Sequence, residues 1–368
     1  MRRNLVALAA VGMLTLGGTA ACSDDGDSAA SVPTRGGDGT GKVGVILPDT
    51  TTSQRWGTDD PKLLKAAFDA ADVPVEIENA QGDGANFKKI GDRMIADGVT
   101  VLMIANLDPD SGAYVLEKAR ANGVKTIDYD RLTLNGGADY YVSFDNEEVG
   151  RLQAVGLVKC VTAKGKKIPR IVYLNGSTTD NNATLFKEGA DTVLQEKFDS
   201  GEYMKGPEQA VADWKREEAV TVFREIFNTT AGQIDGVLAA NDTIASAAIQ
   251  ILKERKVNGI VPVTGQDAEV QGLQNILVGD QCMTVYKPIK DEATAAANLA
   301  IGLFKGEKVA ADGRAKDPVS GAFIPAVLLK PKSIMKKNVA SVIADGFVTK
   351  KAVCTGRFVE PCTAAGIK

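Results

Sequence analysis

The sequence predicts an α/β protein of two doubly wound lobes, each a parallel sheet with helices on both faces. Three observations carry this reading. Apolar strand-like runs alternate with amphipathic helical stretches along most of the chain, which leads to parallel sheets joined by right-handed crossovers. Several runs are apolar without interruption, as strands covered on both faces are. The strands are also too numerous for one small sheet, and 368 residues have room for about two domains. A βα barrel is the architectural rival, and the irregular spacing around 196–213 speaks against eight equal βα units.

The elements follow in order. KVGVIL (42–47) is a strand ending at Pro48. Leu63, Leu64, Ala67, Phe68 and Ala71 place a helix over 58–72. VPVEIE (73–78) is a strand, and Phe87, Ile90, Met94 and Ile95 form one face of a helix over 85–97. VTVLMIA (99–105) is the clearest buried strand; a helix over 110–122 stops at Gly123 before the strand KTIDY (125–129). The alternation then repeats: strand 138–144, helix 146–162, strand 170–176, helix 181–196. A helix over about 213–228 precedes strand 235–240 and helix 242–255. Strand 259–265, helix 268–277, strand 282–287 and a long helix over 288–305 complete the pattern.

The N-terminus is expected to stand apart from the fold. Arg2 and Arg3 precede an apolar run, Leu5 to Leu16, then small residues from Gly17 to Ala21. The run is too short to span a bilayer, and the layout is that of a secretory signal over 1–21. Cys22 directly after Ala20-Ala21 resembles a bacterial lipoprotein signal, which implies a lipid on Cys22; Thr19 stands where such signals usually carry Leu. An ordinary cleaved signal with an unmodified Cys22 is the alternative. Residues 22–41 are small, polar and acidic, a flexible tether. Within them Gly36 to Lys42 fits GxxxxGK, but Val43 replaces the Ser or Thr of a P-loop and the glycines precede a strand.

Composition removes several functions. The absence of histidine excludes Ser-His-Asp and Cys-His machinery and His-based zinc sites. A net charge of −4 and a pI near 5.3 argue against nonspecific nucleic-acid binding. No cofactor and no metal is called for. Beyond Cys22, four cysteines remain, an even number that suits an oxidising compartment. Cys354 and Cys362 flank a short Gly- and Pro-containing segment, where a local disulfide is expected. Cys160 and Cys282 either pair, if the fold brings them together, or are two buried thiols.

Ligands of open α/β sheets bind outside the carboxyl ends of the strands. There the sequence places Arg55-Trp56, Asp130-Arg131, Asp145-Asn146, Asp180-Asn181-Asn182, Asn241-Asp242, Gln266-Asp267 and Tyr286-Lys287. This chemistry suits a sugar. Asp accepts, Lys and Arg donate, Asn does both, and charged partners make the stronger hydrogen bonds. An aromatic ring can cover the C–H face, and the two tryptophans, Trp56 and Trp214, both have polar neighbours. Each residue also has a plainer role: Asp180, Asn241 and Asp267 as helix caps, Arg131 and Lys287 as surface charges, the tryptophans as packing.

The stretches SQRW (53–56), DYDR (128–131), SFDNEEVGRLQA (143–154), DNNATLFKEGA (180–190), AANDTIASAAIQ (239–250), TGQDAE (264–269) and TVYKP (284–288) resemble type I periplasmic sugar-binding proteins of ABC importers. The likeness runs from about Lys42 to about Gly346, and RW, YDR, SFDN, DNNA and TVYKP point to the xylose-binding branch. It implies two lobes joined by a three-segment hinge, with crossings near Ser143–Asn146, Tyr286–Pro288 and Phe323–Val327. The lobes would be 42–145 plus 289–323, and 146–288 plus 324–368. It further implies a ligand set of Arg55, Asp130, Arg131, Asn182, Trp214, Asn241, Asp267 and Lys287, with Trp56 as a stacking ring. The expected activity is capture of an aldopentose, D-xylose, by a monomer that is not an enzyme. The expected partners are the monosaccharide, ABC permease subunits and, through Cys22, the outer face of the cytoplasmic membrane; no nucleic acid is expected. The tail after Gly346 departs from the family core and reads as a staple. The rivals are a secreted sugar-processing enzyme using paired carboxylates and a chemosensory receptor. A repressor's sugar-sensing core is disfavoured by the lack of a basic helix-turn-helix.

Overall fold

The computed structural model describes residues 39–367. The signal expected at 1–21, the lipid site at Cys22 and nearly all of the expected tether lie outside them.

The first half of the chain contains β1 (Lys42–Leu47), α1 (Arg55–Ala70), β2 (Val75–Asn79), α2 (Gly84–Ala96), β3 (Val99–Ile104), α3 (Pro109–Ala121), β4 (Lys125–Tyr129) and β5 (Tyr140–Phe144). Then come α4 (Asn146–Ala163), β6 (Arg170–Asn175), α5 (Asn181–Asp199), β7 (Met204–Ala210), α6 (Arg216–Thr229), β8 (Gly236–Ala239), α7 (Asp242–Glu254), α8 (Val270–Val278) and β9 (Met283–Tyr286). The chain ends with α9 (Ile289–Phe304), β10 (Gly313–Lys316), β11 (Phe323–Leu329), β12 (Lys332–Met335), α10 (Val339–Ala344), α11 (Lys350–Val353) and α12 (Val359–Ala364).

The first sheet has the order β10-β11-β5-β4-β3-β1-β2, parallel except for the β10–β11 pair. Alternate residues of its strands face opposite sides. Val45, Met103 and Ile127 pack under α1 and α9 with Leu64, Phe68 and Ala296. Ile46, Leu102 and Ile104 pack under α2 and α3 with Phe87, Met94 and Val115. Burial on both faces explains why β3 reads as an unbroken apolar run.

The second sheet is built on β7-β6-β8. It continues through 261–265, where Val237 N–H donates to the Pro262 carbonyl at 2.9 Å and Cys282 N–H to the Val263 carbonyl at 2.9 Å. The strand expected at 259–265 is thus reduced to a bridge between β8 and β9. β9 pairs antiparallel with β12. Helices α4 and α5 lie against one face, α6 and α7 against the other. The α4–α5 contact depends on Gly150 and Gly189, because a Cβ at either would overlap the carbonyl of Phe186 or Glu147. A disulfide joins Cys160 in α4 to Cys282 before β9, with Cα atoms 6.4 Å apart. A second joins Cys354 to Cys362 (Cα–Cα 5.8 Å) in the tail, which packs on α8 through Val342, Val353 and Cys362.

Four differences from the expectations stand out. β11 pairs in parallel with β5, Ala326 opposite Tyr141 through Leu329 opposite Phe144. Residues 324–329 therefore group with the first sheet, and the third crossing falls at Lys330-Pro331, between β11 and β12, and not near Phe323–Val327. The cause is the edge of β5, whose bare backbone groups take up β11. β7 was not foreseen, because MKGPEQA is polar and carries Pro207, as edge strands do. Helix α1 starts at Arg55, three residues before the expected helix, so Arg55 and Trp56 sit in its first turn. The helix expected at about 213–228 begins at Arg216, after a separate 3-10 turn over Ala212–Trp214.

Candidate functional site

The carboxyl ends of both sheets meet at one cavity, and all nine residues expected at a ligand site line it: Arg55, Trp56, Asp130, Arg131, Asn182, Trp214, Asn241, Asp267 and Lys287. Thr52, Ser53, Asp180, Phe186 and Gln266 complete the lining. Eight of the nine are 6% exposed or less. Arg131 and Lys287 are therefore not surface charges, and each is compensated.

On the first-sheet side, Arg55 donates from Nε and Nη2 to Asp60 at 2.8 and 2.7 Å. Its Nη2 also meets Glu292 at 2.6 Å and its Nη1 meets Asp130 at 3.3 Å. The guanidinium lies 4.3 Å from the centre of the Trp56 ring, and that of Arg131 lies at 5.6 Å. Asp130 follows β4 in a left-handed conformation, φ 62°. Its carbonyl is held by Tyr141 Oη (3.0 Å), Ser143 Oγ (2.8 Å) and Asn182 Nδ2 (3.0 Å).

On the second-sheet side the polar residues sit at helix starts. Asp180 caps α5 by accepting from Asn182 N–H at 2.9 Å, and Asn241 caps α7 by accepting from Ile244 N–H at 2.9 Å. Both caps also line the cavity, so capping and lining are not exclusive. Asp267 is not a cap, contrary to the expectation: α8 starts at Val270, and Asp267 lies before it with φ 94°, its N–H donating to the Val285 carbonyl. Trp214, φ 57°, packs over Gly176, where any Cβ would collide with the indole. Both tryptophans also belong to the cores, so packing and lining coincide for them too. Three lining residues thus hold φ values that non-glycine residues avoid, a cost that clusters at functional sites.

Two ion-pair sets cross between the sides. Arg131 Nε lies 3.1 Å from Asp180. Lys287, on the second crossing, lies between Asp130 at 3.8 Å and Asp267 at 3.6 Å. Burial raises the Asp130 carboxyl, but Lys287, Arg55 and Arg131 outweigh it and hold the group below its usual value. Asp267 is raised by burial, which Lys287 and Arg55 only partly offset. Asp180 is likewise raised by burial despite Arg131.

The sequence reading missed Asp60 and Glu292, both fully buried behind Arg55. Each stands in a helix beside another acid, Asp59 or Asp291, and such pairs ordinarily face water. The available signal was Glu292 in an alanine-rich helix with little polar surface to share.

Two sheets that close on a small, charge-lined cavity, reached by three crossings of one chain, define a two-lobed solute-binding protein. The chain belongs to the periplasmic binding protein family: the family's model, a periplasmic binding protein domain, matches residues 43–308. It carries the type I fold of the family's sugar-binding members and groups with binding proteins rather than enzymes. It is 35% identical over 314 residues to a D-xylose-binding periplasmic protein of Haemophilus influenzae, covering 85% of this chain and 92% of that one. A D-xylose-binding periplasmic protein of Escherichia coli is also 35% identical, over 83% and 90% of the two chains. Among solved structures, a carbohydrate transporter solute-binding protein of Chloroflexus aurantiacus in complex with D-glucose superposes with TM-score 0.76 at 29% identity, over 84% of this chain and 97% of that one.

Proposed function

We propose that the protein captures an aldopentose, D-xylose, as a monomer by closing its lobes around it, and delivers it to an ABC permease. The observation that carries this reading is the joint lining of one buried cavity by Arg55, Asp130 and Arg131 from the first side and Asn182, Trp214, Asn241 and Asp267 from the second. A ligand touched from both sides binds the closed form better than the open one, and so shifts the population by hinge closure. The alternating donors and acceptors match a ring of hydroxyls. The likeness to two D-xylose-binding proteins supports the pentose. The likeness to a D-glucose complex favours a hexose as the second reading.

A thermal-shift and calorimetric panel of D-xylose, D-ribose, L-arabinose and D-glucose tests the assignment. D-xylose is expected to give the largest rise in Tm and the tightest binding. A larger response to D-glucose would replace the pentose by the hexose, and no response to any sugar would remove the function. The same reading places the protein outside the cytoplasmic membrane, tethered by a lipid on Cys22. Cys22→Ser is expected to release it from membranes of the native host, and continued membrane association would reject the anchor.

A further inference from the structure

Arg55 is gripped from behind by two residues that do not line the cavity. Asp60, in the same helix, takes Nε and Nη2, and is itself held by the Tyr129 hydroxyl at 2.5 Å. Glu292, in the first turn of α9, takes Nη2 from a second helix at 2.6 Å. Two of the three guanidinium nitrogens are thereby fixed, and Nη1 is turned towards Asp130 in the cavity wall. Because α9 begins just after Lys287-Pro288, Glu292 links a ligand-facing arginine to the helix that leaves the second crossing.

The Glu292 carboxyl is also poorly accommodated as an anion. It is fully buried, its Oε1 has no hydrogen-bond partner, and Arg55 must serve Asp60 and Asp130 as well. A buried, half-satisfied carboxyl among other carboxylates takes up a proton readily. We propose that Glu292 is a positioning residue for ligand capture, which sets Arg55 against the cavity and makes that placement, and with it the affinity, respond to pH. The claim about affinity rests on the sugar-binding reading above; the claim about Arg55 does not.

The groups facing Glu292 are Arg55 and Asp60 from α1, Tyr129 from β4, Asp130 just after it, Tyr141 from β5, and Lys287 at the crossing. Burial pushes the Glu292 carboxyl up to about 8, with Arg55 opposing. Burial lifts the Tyr129 hydroxyl well above its ordinary range. Lys287 is lowered by burial but carried above its ordinary value by Asp130 and Asp267. While neutral, Glu292 accepts from Arg55 and leaves its charge to Asp130 and the ligand. Once ionised, it competes for that charge, so affinity falls as pH rises through the transition.

Trp56 reports on Arg55 directly, because the guanidinium sits on its ring. In a Trp214→Phe background Trp56 is the sole tryptophan, and its emission is titrated from pH 6 to 9.5 without sugar. A transition centred near pH 8 is expected, and the same background carrying Glu292→Gln should be flat. A flat parent, or a Gln variant that titrates like the parent, overturns the proposal. In the otherwise native chain, D-xylose affinity should drop about threefold or more between pH 6.5 and 9, and Glu292→Gln should abolish that drop while binding within about threefold of the parent at pH 7. Glu292→Ala, which offers Arg55 no acceptor, should bind at least about tenfold more weakly. If no sugar binds at any pH, the functional reading fails, and the emission titration still decides the role of Glu292.

Discussion

On the first-sheet side of the cavity, Arg55 is fixed by buried ion pairs to Asp60, Glu292 and Asp130. On the second-sheet side, Asn182 and Asn241 stand at helix starts, where the side chains of Asp180 and Asn241 accept the cap hydrogen bonds, and the scaffold behind them carries both disulfides of the described residues. The two sides reach the same end, a pre-set donor or acceptor, by different means. Charge pairing gives strong orientation but fails sharply when one partner is lost. Caps spread the cost, so the loss of a single cap is milder, whereas a disulfide acts by constraining the unfolded chain. The difference teaches that equal burial does not mean equal fragility.

The comparison can be broken at several points. The largest effect is expected from covalent ties of unequal span. Replacing Cys160 and Cys282 by Ser, which frees a separation of 122 residues, should lower unfolding stability by about 5 kcal/mol in the chain-entropy model. The same change at Cys354 and Cys362, eight residues apart, should cost about 2.5 kcal/mol. Denaturant unfolding of the oxidised proteins measures both, and equal losses would show that span is not what matters here. Next, Arg55→Met strands buried carboxylates and should cost about 3–5 kcal/mol of stability, along with sugar binding. A loss under about 1 kcal/mol would make the first side no more fragile than an exposed ion pair. On the second side, Asp267→Ala should weaken ligand binding by about 1–3 kcal/mol. As Asp267 caps nothing, unchanged affinity in a calorimetric titration would remove it from the site.

The last expected effect concerns pH and lies away from the cavity. Asp128, fully buried in β4, accepts from Thr133 N–H at 2.8 Å and Thr133 Oγ1 at 2.7 Å, yet burial lifts its carboxyl to about 7. It therefore holds its proton more tightly folded than unfolded. Its contribution to stability is complete below about pH 4 and is lost as pH rises to about 7. Asp128→Asn should flatten that part of the stability–pH curve. An identical slope in the variant would mean that this carboxyl is already ionised in the folded protein at pH 5.

The cavity lining was legible because parallel strands end where ligands bind. The strands β4 and β6 were placed by the strand–helix alternation, and the polar residues beyond their ends, Asp130 and Arg131 after β4 and Asn182 after β6, line the cavity. The edges were not legible. β7 and β10 carry the polar, Pro- or Lys-bearing composition that protects a sheet edge, which is the composition of a loop. Asp60 and Glu292 escaped notice because a buried acid and a solvated one look alike in sequence until a cation from another element is found against them. Asp267 misled for a related reason: Asp before a helix signals a cap, and only the left-handed backbone at Asp267 and Ala268 delays α8 beyond it.

The pairing of β11 with β5 has a consequence for synthesis. The core strands of the first sheet are complete by residue 144, but α9, which covers one of its faces together with α1, starts at Ile289, and the last strands of the sheet end at Leu329. A chain emerging N-terminus first presents every parallel strand of the second sheet during that interval. The apolar face of Val45, Met103 and Ile127 meanwhile waits without α9 for on the order of ten seconds at ordinary rates of synthesis. The half of the molecule that is made first is thus completed only after the parallel strands of the other half have been made, and its apolar face is open to misassembly in that interval.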